Sequence, residues 1–289
     1  VSPGLGDVYK RQSEGEHNAP IVKEWFCRLL GINGNEEHTV GNVLPGHNLQ
    51  LIEKKPDRPL ADRLDALLID ERILEPENVT TVTYEQLATD EEGKHKEYSQ
   101  LRAELPIFNR NRISGDLFRH GISLGNYRIV EAKKDEYLLV FHNKEKGGWT
   151  NLGRTDDKKR LNTLANILRR YLLELNRECE TVYVLEPVLV RKTEPFRLLI
   201  VLPMWTLRFH SPRFREMCRE LLRSIIPAHL AGRIYWMDEI SMQGFEHCYK
   251  LLMRALTNSD LADYSAQLLE VIYELLGKAV EIQTLDDTN

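Results

Sequence analysis

The feature that most constrains this chain is an almost continuous apolar run at residues 196–202 (FRLLIVL), which ends at Pro203. A strand with one face in water alternates apolar and polar residues, so this run predicts a β-strand that is buried on both faces. A second apolar run at residues 230–237 (LAGRIYWM) has the same character. Two such strands close together in sequence predict a compact unit built around a buried sheet.

Helix signals follow both strands. Ser211 and Pro212 fit the N-cap and first turn of one helix, and Asp238 fits the N-cap of the next. Both segments carry apolar residues at helical spacing, which is typical of helices packed on a sheet. The order of elements over residues 193–258 is therefore β-α-β-α. A last helix and a tail are expected over residues 259–289.

An earlier module is predicted over residues 118–192. Two β-rich runs, residues 126–131 (NYRIVE) and 136–142 (EYLLVFH), flank a short turn and predict a hairpin. The apolar stripe from Leu161 to Leu175 predicts a long helix that packs on that hairpin. Residues 182–190 then read as a strand in which Pro187 favours an edge position or a bulge.

Taken together, these segments predict an α+β fold made of small modules. Residues 13–117 are expected to form a mixed N-terminal module with many loops. Residues 1–12 (VSPGLGDVYKRQ) resemble translated adapter sequence rather than a signal peptide. We therefore expect the chain to be the C-terminal part of a longer protein.

Composition and motifs exclude several functional classes. The net charge of −5 does not suit general nucleic-acid binding, and no apolar run of about 18 residues predicts a membrane span. No phosphate loop (GxxxxGKS/T) and no nucleophile elbow (GxSxG) occur. The nine histidines are scattered and the four cysteines form no CxxC pair, so we expect buried thiols without metal. The predicted protein is not an enzyme and has no cofactor, metal or small-molecule substrate.

Basic and aromatic residues interleave at residues 204–215 (MWTLRFHSPRFR). Tryptophan and arginine carry much of the binding energy of protein interfaces, so Trp205, Arg208, Phe209 and Arg213 are the candidate interface residues. Ordinary packing and a nucleic-acid-binding patch are the alternatives for the same segment.

A family resemblance covers roughly residues 118–289. Residues 176–191 (NRECETVYVLEPVLVR) are similar to the segment LN-x-E-x-E-G-F-x-L-V-E-H-I-L-L-R-P of large baseplate-associated proteins of contractile injection systems, the phage-tail-like particles. Residues 196–236 continue the likeness to F-R-x-S-V-V-L-P-x-W-x-x-R-F, and TLDD at residues 284–287 resembles the A-T-L-x-D ending. The chain departs from the pattern at Thr181 and Pro187, where the family has glycine and histidine.

The resemblance implies a large multi-module scaffold protein that packs against other baseplate or tail proteins and is assembled in the cytoplasm. Two rival interpretations remain open. One is a nucleic-acid-binding module that uses the basic-aromatic stretch, and the other is an enzyme whose site is completed by sequence upstream of this chain.

Overall fold

The computed structural model describes residues 18–32, 39–47, 49–52, 77–83, 86, 108–109, 112–144, 147–187, 197–226, 230–258, 262–277 and 279–282. The chain divides into two compact units. Unit 1 contains residues 1–42 and 179–289, and unit 2 contains residues 43–178. Helices and mixed sheets are both present, which confirms the predicted α+β class.

The helices of the described residues are α1 (Asn18–Leu30), α2 (Val43–Gly46), α3 (Gly115–His120), α4 (Lys158–Glu178), α5 (Leu207–His210), α6 (Pro212–Ile225), α7 (Glu239–Thr257) and α8 (Ala262–Leu276). Two 3-10 turns are found at Val40–Asn42 and Leu124–Asn126. The strands are β1 (Gln50–Ile52), β2 (Thr81–Thr83), β3 (Phe108–Asn109), β4 (Arg112–Ser114), β5 (Tyr127–Lys133), β6 (Glu136–His142), β7 (Trp149–Thr155), β8 (Tyr183–Leu185), β9 (Arg197–Pro203), β10 (Ala231–Met237) and β11 (Val280–Ile282).

Unit 2 is built on a four-stranded sheet in the order β2-β5-β6-β7. The antiparallel pair β5 and β6 is the predicted hairpin, and Asp135 takes the positive φ (60°) that its tight turn requires. Helix α4 contacts β5, β6 and β7 and buries its apolar stripe, as its sequence predicts. A separate three-stranded sheet has the order β1-β4-β3.

Unit 1 is built on a four-stranded sheet in the order β11-β10-β9-β8. The central strands β9 and β10 are parallel and are joined through α6, while β8 and β11 pair antiparallel at the edges. Leu199 and Ile200, whose side chains point to opposite faces of β9, are 2% and 0% exposed. The continuous apolar run thus reflects burial on both faces, as predicted.

Helices cover the two faces of this sheet. One core cluster joins Val22 and Phe26 of α1 to Leu222 of α6, and it includes Ile200 of β9 and Trp236 of β10. On the other face, the Tyr183 ring of β8 contacts Phe245 of α7, with ring centroids 5.4 Å apart. Helix α8 packs on α7. Unit 1 is therefore a three-layer arrangement of helices, sheet and helices.

Two elements, β8 and α1, belong to a different unit from the one that the predicted module boundaries imply. Strand β8, expected in the module of residues 118–192, pairs with β9 in unit 1, with Tyr183 opposite Val201. Helix α1, expected in the module of residues 13–117, also belongs to unit 1. Apolar periodicity predicts that a segment is buried, but it does not identify the segment that it packs against. The edge position of β8 does agree with the nearby Pro187.

Gly121 generates a stability prediction for unit 2. A Cβ atom at this position would lie 2.5 Å from Leu172 Cδ1 and 2.8 Å from Tyr127 Oη, the hydroxyl that donates a hydrogen bond to the Gly121 carbonyl. We expect Gly121→Ala to lower the free energy of unfolding by about 1–3 kcal/mol, because this packing has no room for a methyl group.

Gly153→Ala is the matched control, since a Cβ atom there has no neighbour within 4 Å. Urea unfolding followed by circular dichroism should show a change within about 0.5 kcal/mol for this variant. Equal losses for the two alanine variants would contradict the packing described around Gly121.

Candidate interaction surface

The basic-aromatic segment, residues 204–215, lies directly after β9 at the carboxyl end of the parallel strands. The Met204 amide donates to the Met237 carbonyl at the end of β10 over 2.8 Å. Thr206 caps α5, its side chain accepting a hydrogen bond from the Phe209 amide. The segment therefore has a defined backbone fixed to both central strands.

Two of the four predicted interface residues are buried. Trp205 is 3% exposed and Phe209 is 0% exposed, so neither presents an aromatic surface to a partner. The Phe209 ring contacts Trp236 and Phe214, with centroids 5.7 and 5.5 Å apart. These aromatic side chains complete the core between β10 and α6. For them the packing alternative fits the structure better than the role of exposed anchor.

The guanidinium group of Arg208 is bonded to two other segments of unit 1. Its Nε lies 3.1 Å from each carboxylate oxygen of Glu180, and its Nη2 also donates to Glu180. Its Nη1 donates to the Leu30 carbonyl at the end of α1 over 2.8 Å. The bond to Glu180 raises the pKa of Arg208 above its ordinary value, so the guanidinium group stays charged. We name this set, Glu180 with Arg208 and the Leu30 carbonyl, the arginine clamp.

Arg215 is also an internal residue. Its Nε donates to the Phe209 carbonyl over 2.7 Å, and its guanidinium carbon lies 5.1 Å from the centre of the Trp236 ring. Burial lowers the pKa of Arg215 from its ordinary value. The cationic groups of Arg208 and Arg215 are therefore directed to protein acceptors and rings.

Arg213 is the predicted interface residue that is fully on the surface. It lies in the first turn of α6, and Met217 follows one turn later with 47% of its surface exposed. Helix α1, which packs on α6, exposes Trp25 (36%) and Leu29 (51%), again one turn apart. We name Trp25, Leu29, Arg213 and Met217 the outer helical face.

The nucleic-acid alternative receives little support from this geometry. Stacking of bases requires exposed aromatic rings, and the aromatic rings of Trp205 and Phe209 are in the core. The guanidinium groups of Arg208 and Arg215 already have protein partners. Within the segment, Arg213 remains as the exposed cation.

Sequence reasoning missed a buried carboxylate on α7. Glu246 is 2% exposed and accepts hydrogen bonds from the amides of Val40 (2.6 Å) and Gly41 (3.0 Å) and from the Tyr183 hydroxyl (2.9 Å). A Cβ atom on Gly41 would lie 2.8 Å from the Gln243 backbone nitrogen, so the close approach requires glycine. Glu246 thus fixes the 3-10 turn at which the chain leaves unit 1. The signal in the sequence was an acidic residue at a position that helical spacing assigns to the apolar face.

Burial affects the thiols of unit 1. Cys27, Cys179 and Cys218 are buried and Cys248 is partly buried, and none of the four is in a disulfide bond. Burial raises the pKa of Cys218 to about 12 and also raises the pKa of Cys27 and Cys248. A thiol that stays protonated at neutral pH is a poor nucleophile and metal ligand.

The part of the chain that the structure describes also bears on metal binding and on membrane insertion. That part contains no group of three or more histidine, cysteine, aspartate or glutamate side chains arranged to hold a metal ion. None of its helices combines the length and the apolar character needed to cross a membrane.

No protein-family model matches the chain, and no curated protein matches it either.

Breaking the arginine clamp tests its role in the fold. We expect Arg208→Gln to lower the free energy of unfolding by about 1–3 kcal/mol, because it leaves the Glu180 carboxylate, 9% exposed, without its charged partner. Arg223→Gln is the control, since Arg223 pairs with Glu220 on the surface of α6 and such pairs contribute below about 1 kcal/mol. Chemical denaturation measures both variants, and equal effects would contradict the clamp.

Glu246 predicts a pH dependence of stability. Burial raises its pKa above that of an exposed glutamate, so the folded chain keeps this proton to a higher pH than the unfolded chain does. The contribution of Glu246 to the free energy of unfolding is then greatest below the unfolded pKa and falls as pH rises through the folded pKa.

The measurement is urea unfolding of the unmodified chain and of Glu246→Gln at a series of pH values from acid to neutral. The unfolding free energy of the unmodified chain minus that of the variant should fall as pH rises, because other titrating groups cancel in this difference. A difference that grows with pH would mean that Glu246 is more acidic in the folded chain.

Proposed function

We propose that this chain is a structural component of the baseplate of a contractile injection system or related phage-tail-like particle. It acts through protein–protein assembly in the cytoplasm. The observation that carries the proposal is the place of the residues behind the sequence resemblance. Those that the structure describes from residue 179 onward, in residues 179–187, 197–226 and 230–236, belong to unit 1, where they include packing residues and both charged residues of the arginine clamp.

The residues of this stretch that match the family pattern are structural residues of unit 1. Leu202 and Pro203 of the VLPMW stretch are buried, as is Trp205. Arg208 and Phe209, which match the R-F of the family pattern, build the arginine clamp and the aromatic core. A motif made of framework residues suits a module whose task is to hold a shape, since it commits no side chain to an open cleft.

The outer helical face supplies a surface for assembly. Trp25, Leu29 and Met217 are exposed large apolar side chains on two helices that pack together, and Arg213 adds a cation one turn before Met217. Aromatic residues, methionine and arginine are the residue types enriched at the cores of protein interfaces. This face replaces Trp205 and Phe209 as the proposed contact with a neighbouring baseplate protein.

Production of particles from the complete gene and its genomic neighbours tests this function. Purified particles should contain the protein by mass spectrometry, and Met217→Arg should lower its content about tenfold or more, because a buried charge in an interface costs at least about 1.4 kcal/mol. Ile240→Arg is the control, since Ile240 is 78% exposed on α7, across the sheet from α6.

Genomic neighbours that encode no sheath, tube or spike proteins would contradict the proposed function. Full incorporation of a folded Met217→Arg protein would instead contradict the assignment of the outer helical face alone. Salt-sensitive binding of oligonucleotides by the purified chain would favour the nucleic-acid alternative.

A further inference from the structure

An apolar groove runs along the helical hairpin of α7 and α8. It has a volume of about 480 Å³ and is lined by Leu251, Ala255, Tyr264, Gln267, Leu268 and Val271. Leu251, Tyr264 and Val271 are exposed at 37%, 58% and 41%. Large apolar side chains that line a shared groove while open to water mark a surface for association. We name these six residues the hairpin groove.

The two flanks of the hairpin groove carry opposite charges. On α7, Lys250 and Arg254 are exposed on the side turned away from α8, as the helical spacing from Leu251 and Ala255 requires. On α8, Glu270 and Glu274 are exposed on the side turned away from α7. The groove therefore lies between a basic flank and an acidic flank.

We propose that a second copy of this chain docks on the hairpin groove and forms a two-fold symmetric four-helix bundle. A surface that pairs with itself must present complementary groups on either side of its symmetry axis. With a two-fold axis parallel to the helices, α7 of one copy lies opposite α8 of the other, so each basic flank faces an acidic flank. An axis across the helices would bring the two basic flanks together, which opposes that orientation.

The register of the hairpin predicts which charges meet. Gly244 of α7 and Leu275 of α8 lie at the same level, since a Cβ atom on Gly244 would be 3.7 Å from the Leu275 methyl groups. Counting along the antiparallel helices from this level places Lys250 level with Leu269, which is one residue, or about 1.5 Å along the helix, from Glu270. A two-fold axis parallel to the helices keeps levels unchanged, so Lys250 of one copy faces Glu270 of the other.

The size of the hairpin predicts a dimer of modest affinity. Two helices about 10 Å wide, over the length of about 22 Å of the 15-residue α8, offer about 440 Å² per copy. The resulting total of about 900 Å² is at the low end for specific interfaces. Association is therefore expected at micromolar concentration. This inference goes beyond the proposed function, because unit 1 would self-associate whether or not the chain is part of a particle.

Analytical ultracentrifugation of the full chain from about 1 to 200 µM measures the predicted association. We expect the weight-average mass to rise toward that of a dimer, and Val271→Arg to hold the chain monomeric over that range. Ser224→Arg places the same new charge at an exposed position of α6, on the opposite layer of unit 1, and should dimerise like the unmodified chain. Circular dichroism verifies that each variant is folded.

A charge exchange separates docking from a general loss of fold. Glu270→Lys alone and Lys250→Glu alone should each weaken dimerisation about tenfold, since each places like charges opposite one another. The double variant should recover most of the affinity. A chain that is monomeric at every concentration overturns the proposal and leaves the hairpin groove to a different protein. A dimer that Val271→Arg does not weaken also overturns it.

Discussion

The arginine clamp is the interaction on which the arrangement of unit 1 depends. Glu180 lies just before β8, Arg208 lies in α5 after β9, and the Leu30 carbonyl ends α1. One guanidinium group thus joins segments that are far apart in the sequence. A carboxylate with 9% exposure is tolerated there because a cation bonds both of its oxygens. The same contact directs Arg208 inward and leaves Phe209 over Trp236 in the core.

The clamp also decides which surfaces can serve assembly. Because Trp205, Thr206 and Phe209 are buried and Arg208 is bound to Glu180, the exposed large apolar side chains described for unit 1 lie on its helical layers. The outer helical face is on the layer of α1 and α6, and the hairpin groove is on the layer of α7 and α8, across the sheet. A rigid module with separate faces suits the proposed role, because repeated assembly needs each subunit to contact more than one neighbour.

The sequence predicted the helices and strands of this fold better than it predicted which of them pack or pair together. The apolar run of β9, the Asp238 cap of α7 and the hairpin of β5 and β6 are local signals, and the structure contains them. Ser211 and Pro212 do begin α6, but the Ser211 side chain makes no capping hydrogen bond there. The pairing of β8 with β9 and the place of α1 depend on contacts between distant residues, which a periodic pattern does not record. The candidate site had the same difficulty. Trp205 and Phe209 have the composition of an interface anchor, yet only their burial separates an anchor from a core residue.

Oxidative footprinting of the free chain and of assembled particles, read by mass spectrometry, tests most directly whether the basic-aromatic segment is framework and the outer helical face is the contact. In the free chain, Trp25 and Met217 should be oxidised readily while Trp205 is protected. On assembly, Trp25 and Met217 should become protected and Trp205 should remain so. Ready oxidation of Trp205 in the free chain, followed by its protection in the particle, would contradict the account and restore residues 204–215 as the docking segment.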